Sequence, residues 1–150
     1  MRIIIQRVSG ASVTIDGVVK SSIKKGYLVL AGFEETDTPQ DIEWTANKLV
    51  NLRVFDDENG QMNLAIKDVD GDIIIVSQFT LYALTKKGNR PSFIKAAKPE
   101  IAIPLYESFV KQVSTLLGKP VGTGEFGADM KVALINDGPV TIQIDSKNPA

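Results

Sequence analysis

Two hydroxyl groups near the middle of the chain stand where a sheet protein often contacts a ligand. Ser77 and Thr80 directly follow a run of apolar, strand-like residues at 73–76, and ligands frequently bind beyond the ends of such strands. A hydroxyl becomes a nucleophile only beside an activating base, and the local segment contains none. We therefore interpret Thr80 as a positioning group, while the simpler alternative is that both hydroxyls hydrogen-bond to backbone.

A second candidate is the turn Asp137-Gly138-Pro139-Val140, which precedes an alternating strand. A proline at this place is usually only a turn device. An X-Pro bond can also be cis at modest cost, and then the Gly138 and Pro139 carbonyls would point in nearly the same direction. Such a turn would be a rigid pair of acceptors, but the sequence does not choose between the isomers.

The composition removes most familiar catalytic machinery. The 150 residues include no Cys and no His, which excludes disulfides, thiolate nucleophiles, zinc ribbons and Ser-His-Asp triads. An enzyme with this composition must use backbone N–H groups, hydroxyls, carboxylates, Lys or Arg, or a group of the substrate. With 17 basic and 18 acidic residues the net charge is -1, so no overall attraction to nucleic acid or anionic membranes is expected.

One basic segment departs from this balance. No Asp or Glu occurs between Ile73 and Pro99, whereas five cations do. The segment is either an ordinary solvated surface or a phosphate-binding face, and composition leaves both open. The cations are Lys86, Lys87, Arg90, Lys95 and Lys98.

The sequence 122–127 matches G-x-G-x-x-G. A dinucleotide site needs a helix after this loop, but the residues that follow it, 131–135, predict a strand. We therefore interpret the segment as a tightly turning or flexible loop.

The elements that must position these groups indicate a single α+β domain over residues 1–150. A helix is predicted from Thr38-Pro39, with Asp41 as its third residue, to about Leu52. A second helix begins at Pro99 or Pro104 and stops near Gly118. Strands with turns at Asp16-Gly17, Asn59-Gly60 and Asp70-Gly71 make up most of the rest, and residues 130–144 predict a terminal hairpin. No apolar run suits a membrane span or signal peptide, so we expect a cytoplasmic protein.

Two segments taken together resemble the signature motifs of D-aminoacyl-tRNA deacylases. They are Ser77–Leu81 and Asn136–Thr141. The connecting segments Gly88–Phe93 and Thr123–Met130 agree with the family as well, and so do the opening residues. The resemblance therefore extends from residue 1 to about Asp145.

The resemblance implies a homodimer with a small β-barrel-like fold and two main helices. It implies hydrolysis of the ester between a D-amino acid and the 3′-terminal adenosine of tRNA, and of glycine mischarged on alanine tRNA. A cis Gly138–Pro139 peptide would enter the partner's pocket, hold the substrate α-ammonium and exclude L side chains. Arg7 would brace this loop, Asn136 belongs to the same motif, and Met130 would line the adenosine pocket. No cofactor or metal is implied.

The catalytic set implied by the resemblance is Ser77, Gln78, Phe79 and Thr80. Backbone N–H groups of the last three would stabilise an oxyanion, and one such donor is worth ~3 kcal/mol. The 2′-hydroxyl of the tRNA would assist the attack, with Thr80 as covalent nucleophile as the alternative. Lys86, Lys87 and Arg90 would contact the acceptor-stem backbone. A non-catalytic RNA-binding module and a small-molecule-binding dimer remain as other classes of function.

Overall fold

The longest pairing in the computed structural model, which describes residues 1–150, involves the first strand. β1 is flanked along its length by three other strands. The elements in chain order are β1 (Arg2–Ile15), β2 (Val18–Ile23), β3 (Gly26–Gly32), α1 (Pro39–Asn51), β4 (Arg53–Asp56), β5 (Met62–Ala65), β6 (Asp72–Ser77), a 3-10 turn (Phe79–Tyr82), α2 (Pro99–Leu117), β7 (Gly122–Thr123) and β8 (Lys131–Asp145).

The main sheet curls into a nearly closed barrel. Its strands follow the order β2-β1-β3-β6-β7, and β8 pairs with β1. The two ends meet through Ser21, whose Oγ donates to the Thr123 carbonyl at 2.5 Å and accepts from the Thr123 N–H at 3.0 Å. The expected α+β fold with a β-barrel-like core and two main helices is confirmed.

β3 and β6 are buried on both faces, as their continuous apolar runs predict. They pair in parallel, and Ala31 lies opposite Ser77 at the end of the pairing. One face packs on α1 and α2 in a cluster of 22 buried residues, and the other contributes to a smaller cluster of six. The strand end that carries Ser77 is therefore fixed by packing from both sides.

Both helices begin where local signals place them. Thr38 accepts from the Asp41 N–H at 3.3 Å, and Asp41 accepts from the Thr38 N–H at 2.8 Å, which completes a capping box. α2 begins at Pro99, so Pro104 lies inside the helix, and Gly118 ends it with a φ of 84°. Neither helix combines the length and apolarity that crossing a membrane requires.

The predicted terminal hairpin is wrong. Residues 131–145 form one strand, β8, whose two halves both pair antiparallel with β1. Thr141 lies opposite Gln6 and Asn136 opposite Val8, so residues 137–140 bulge out across from Arg7. Alternating apolar residues on both sides of a turn suit a hairpin and a bulged strand equally. β1 is long enough to pair with both halves, and Pro139, which has no N–H, falls in the bulge.

Candidate active site

The strand end at Ser77 leads directly into the 3-10 turn Phe79–Tyr82. The Gln78 N–H donates to the Ala31 carbonyl at 2.8 Å, so this predicted oxyanion donor is already engaged. The first N–H groups of a helical turn have no partner inside it, and the Gln78 side chain does not cap them. Phe79 and Thr80 therefore remain as the candidate backbone donors.

The Thr80 hydroxyl lacks an activating base within the chain. Its one hydrogen bond comes from Gln78 Nε2, at 2.6 Å. An amide N–H donates a proton and does not accept one, so the contact holds the hydroxyl without increasing its nucleophilicity. This geometry favours the positioning role for Thr80.

A cleft of about 270 Å³ opens beside this motif. One wall comes from residues 76–79 and the other from 126–130 and Val132, so Met130 lies with Ser77, Gln78 and Phe79. A Cβ on Gly124 would collide with the Met130 sulfur, which explains one glycine of the G-x-G-x-x-G loop. The loop leads into β8 and not into a helix. It therefore lacks the helix N-terminus that a dinucleotide site needs.

Phe79 links the cleft to the basic segment. Its ring is 56% exposed and packs edge-on against Phe93, with centroids 5.1 Å apart. Leu84 and Ser92 each donate a backbone N–H to the carbonyl of the other, and these two bonds close the loop of residues 85–91. The loop's cations Lys86, Lys87 and Arg90 are all exposed, and none forms an ion pair within the chain.

The Gly138–Pro139 peptide bond is cis, and the bulge that contains it is held at its ends by Asn136. Asn136 Oδ1 accepts from the Val140 N–H at 2.8 Å, and Nδ2 donates to Thr141 Oγ1 at 2.8 Å. Gly138 has a φ of 137°, and a Cβ there would lie 2.8 Å from Val140 Cγ2. Only glycine fits this position without displacing its neighbours.

Arg7 lies beneath the bulge and is almost fully buried. Its Nε donates to the Asp137 carbonyl at 2.9 Å, and Nη1 donates to the Val54 carbonyl at 2.6 Å. Asp56 Oδ1 lies 3.6 Å from Nη1. The structure thus brings Arg7, Asn136, Gly138 and Pro139 together, and it adds Val54 and Asp56. Sequence analysis missed these two because no local pattern reports a contact between segments 47 positions apart.

Within one chain, the bulge and the cleft are far apart. Arg7 pairs with Tyr27 and Ser77 with Ala31, four positions further along β3. β8, β1, β3 and β6 lie side by side, so standard strand spacings put Gly138 roughly 15–20 Å from Ser77. A single subunit therefore does not combine its two motifs in one site.

Comparison with known proteins covers nearly the whole length of the chain. The sequence profile described as D-Tyr-tRNA(Tyr) deacylase matches residues 4–145. The chain belongs to this family.

Similar proteins within this D-Tyr-tRNA(Tyr) deacylase family carry the name D-aminoacyl-tRNA deacylase. One from Bacteroides fragilis strain YCH46 is 68% identical, and one from Flavobacterium psychrophilum is 66% identical, each with 99% of both chains covered. One from Christiangramia forsetii is 60% identical over 98% of both chains. The resemblance seen in the sequence, and with it the expectation of an enzyme of the D-aminoacyl-tRNA deacylase family, is confirmed.

Two solved structures share the fold of this chain. A c-Myc DNA unwinding element binding protein superposes with a TM-score of 0.92 at 41% identity, covering 100% of both chains. A probable eukaryotic D-amino acid tRNA deacylase superposes with a TM-score of 0.83, covering 95% of this chain and 97% of that one. At 18% identity, the second comparison supports the fold alone.

A buried tyrosine supports the strand on which the family's first motif stands. The Tyr106 hydroxyl, from α2, donates to the Ile75 carbonyl at 2.6 Å, two positions before Ser77. Burial raises the pKa of Tyr106 to about 12, although a hydrogen bond from the Gly124 backbone opposes the shift. The hydroxyl therefore stays protonated at neutral pH and remains a donor. No cluster of three or more carboxylates is arranged to hold a metal ion.

Proposed function

We propose that this protein hydrolyses the ester of D-aminoacyl-tRNA and releases free tRNA and the D-amino acid. The observation that carries the proposal is the presence of both family motifs in one chain, with the first at an open cleft beside an exposed aromatic ring and unpaired cations. We include glycine mischarged on alanine tRNA as a second substrate, and the cytoplasm as the place of action.

A homodimer completes the site in this proposal. The α-ammonium and the ester carbonyl of the substrate are bonded to the same α-carbon, so the groups that hold them must be neighbours. The two motifs of one subunit are too far apart for this, whereas Gly138 and Pro139 of one subunit can enter the cleft of a second copy. The cleft of about 270 Å³ is also below the usual ~300–1,000 Å³ of small-molecule sites.

The free edge of β8 gives the second copy a surface to cover. β8 runs for 15 residues and pairs only with β1, which leaves its other edge without strand partners. Ile135 on this strand is 67% exposed. Long unpaired edges with exposed apolar residues are rarely left uncovered in natural proteins.

Chiral selection follows from acceptors that belong to the backbone. In the proposed dimer, the Gly138 and Pro139 carbonyls bind the substrate α-ammonium and so fix the three remaining directions at the α-carbon. An L side chain then points into main chain, while a D side chain points outward. Exclusion by fixed backbone is independent of the identity of the side chain. Glycine has no side chain to exclude, so it would be accepted.

The ester cleavage needs little from the side chains because an aminoacyl ester is already reactive. Water attacks the carbonyl carbon, and the N–H groups of Phe79 and Thr80 stabilise the oxyanion. The bond to the 3′-oxygen then breaks, and the tRNA 2′-hydroxyl, next to the ester, assists transfer of the proton from water to that oxygen. A chain without His is compatible with such substrate assistance, and Ser77 and Gln78 shape the strand end.

The tRNA is held by sequence-independent contacts. Lys86, Lys87 and Arg90 neutralise phosphates of the acceptor stem, and the exposed ring of Phe79 offers a surface on which a terminal base can stack. Met130 lies in the same cleft and would pack against the adenosine. Binding of this kind should weaken with salt.

Hydrolysis of matched D- and L-tyrosyl-tRNA, with glycyl-tRNA(Ala) alongside, tests the proposal. We expect the D ester and the glycyl ester to be cleaved while the L ester is spared. Equal cleavage of the D and L esters would indicate a general esterase and contradict the exclusion of L side chains by Gly138 and Pro139. Binding of tRNA without cleavage of any ester would instead support the alternative of a non-catalytic RNA-binding module.

A further inference from the structure

The Gly138–Pro139 bulge is connected through Arg7 to a part of the chain that belongs to neither family motif. β4 and β5 form a separate two-stranded sheet. The Val54 carbonyl and the Asp56 carboxylate of β4 both face Nη1 of Arg7, at 2.6 and 3.6 Å. On its other side, Arg7 holds the Asp137 carbonyl.

The geometry leaves Arg7 little freedom. A Cβ built on Gly138 would lie 3.0 Å from Nη2, so the guanidinium is packed directly against the bulge. Guanidinium is planar, and its donors have a fixed geometry. Contacts on Nη1 therefore set the orientation of Nε and Nη2 as well.

The β4–β5 hairpin is itself well anchored. Phe55 is buried and packs on Tyr27 with ring centroids 5.2 Å apart, and Tyr27 pairs with Arg7 across β1 and β3. At the tip, Asp57 accepts from the Gln61 and Asn59 N–H groups, and these bonds lower the pKa of its carboxyl. A rigid hairpin is a suitable support for a neighbouring loop.

We propose that the β4–β5 hairpin positions the Gly138–Pro139 bulge through Arg7, and that Asp56 is the positioning residue whose charge keeps the guanidinium in place. Asp56 acts only through Arg7 and does not touch the substrate. The effect on chiral selection rests on the function proposed above. The effect on the order of the bulge is independent of that function.

The test compares Asp56→Asn, which removes the charge at nearly constant shape, with Asp56→Glu, which keeps it. Glu58→Gln, in the same hairpin, is the matched control because Glu58 is exposed and makes no ion pair. Two measurements are made on the full chain: amide hydrogen exchange across residues 137–141, and the ratio of D- to L-tyrosyl-tRNA hydrolysis.

We expect Asp56→Asn to speed exchange in the bulge and lower the D:L ratio, each by about two- to fivefold, the range of a partly exposed ion pair. Asp56→Glu should restore both, and Glu58→Gln should change neither. In an Arg7→Met background, which removes the cation, Asp56→Asn should have no additional effect, since the partner of the Asp56 charge is already absent.

Unchanged exchange in Asp56→Asn, or an equal change in Glu58→Gln, would overturn the inference. A full additional effect in the Arg7→Met background would also overturn it, because Asp56 would then act by another route. If the unmodified protein shows no preference for the D ester, the proposed function fails. The exchange measurement then still decides whether the hairpin positions the bulge.

Discussion

The side-chain oxygen of Asn136 accepts the N–H of Val140 at 2.8 Å and so closes the bulge that carries Gly138 and Pro139. The nitrogen of the same side chain donates to Thr141 Oγ1 at 2.8 Å. Opposite the bulge, β1 offers only Arg7, so its backbone cannot pair with all of residues 137–140. A side chain therefore replaces part of the missing strand pairing.

Replacing Asn136 should loosen the bulge. Asn136→Ala removes two hydrogen bonds, each worth about 0.5–1.5 kcal/mol, so kcat/KM for D-tyrosyl-tRNA should fall roughly tenfold. Asn136→Asp keeps the acceptor for the Val140 N–H and should lose less. Steady-state kinetics with both variants checks this. Wild-type kinetics for Asn136→Ala would show that Asn136 does not contribute to the site.

Gly138→Ala should abolish selective hydrolysis. The added Cβ would lie 2.8 Å from Val140 Cγ2 at a φ of 137°, which costs stability of about 1–3 kcal/mol through strain and overpacking. Gly17→Ala is the control, because Gly17 also has positive φ (77°) but nothing within 4 Å of its Cβ position. Thermal unfolding and D:L kinetics are measured together. A Gly138→Ala variant with full activity and selectivity would contradict chiral selection by the backbone of residues 138 and 139.

Thr80→Ala separates the two mechanisms for ester cleavage. The hydroxyl of Thr80 has no base beside it, only the Gln78 amide at 2.6 Å, so we expect kcat to fall by less than about tenfold. A covalent nucleophile would instead be indispensable, with losses on the order of 10³ or more. Single-turnover hydrolysis of D-tyrosyl-tRNA gives the result, and complete loss in a folded variant would favour the nucleophile.

Neutralising the basic loop should weaken tRNA binding uniformly. Changing Lys86, Lys87 and Arg90 together to Gln should raise KM for every tRNA and leave kcat unchanged. It should also reduce the slope of log affinity against log salt by about 2–3, roughly one unit for each lost phosphate contact. The affinity of the variant and of the wild type for tRNA, measured from low to physiological salt, checks this prediction. An unchanged affinity and slope would identify this segment as ordinary solvated surface.

The cap of α1 should make stability depend on acid pH. Burial opposes ionisation of Asp41, but hydrogen bonds from Thr38 and Ser146 and the charge of Lys147 outweigh it and lower the pKa from 3.8 to about 2. A lowered folded-state pKa stabilises the protein above the unfolded-state value and loses that contribution as pH falls through the folded-state value. The stability difference between the wild type and Asp41→Asn should therefore shrink between about pH 4 and pH 2.

Denaturant unfolding at several pH values measures this difference. Thr38→Ala serves as the companion variant, since loss of an N-cap costs about 1 kcal/mol without changing the number of carboxyl groups. A wild-type advantage over Asp41→Asn that stays constant down to pH 2 would show that Asp41 does not titrate as inferred.

Features encoded within a few residues were open to prediction from the sequence. The start of α1 depends on Thr38 and Asp41, which bind each other's backbone N–H groups, and on Pro39, which has no N–H to leave without a partner. The turn at Asp16-Gly17 depends on residues that tolerate positive φ, and they adopt 50° and 77°. The buried strands β3 and β6 follow from their apolar runs. The family resemblance was equally available, because both motifs are contiguous.

Pairing partners distant in the chain were not open to prediction. Residues 130–144 carry the alternation of a hairpin, yet the length of β1 makes them one bulged strand. The Gln78 N–H is occupied because Ala31 lies beside it in the sheet, a contact that the local motif does not encode. The contacts of Val54 and Asp56 with Arg7 likewise join segments that are distant in the chain. Local hydrogen bonds and side-chain sterics determine turns and caps, whereas the choice among equivalent strand partners depends on the packing of the whole chain.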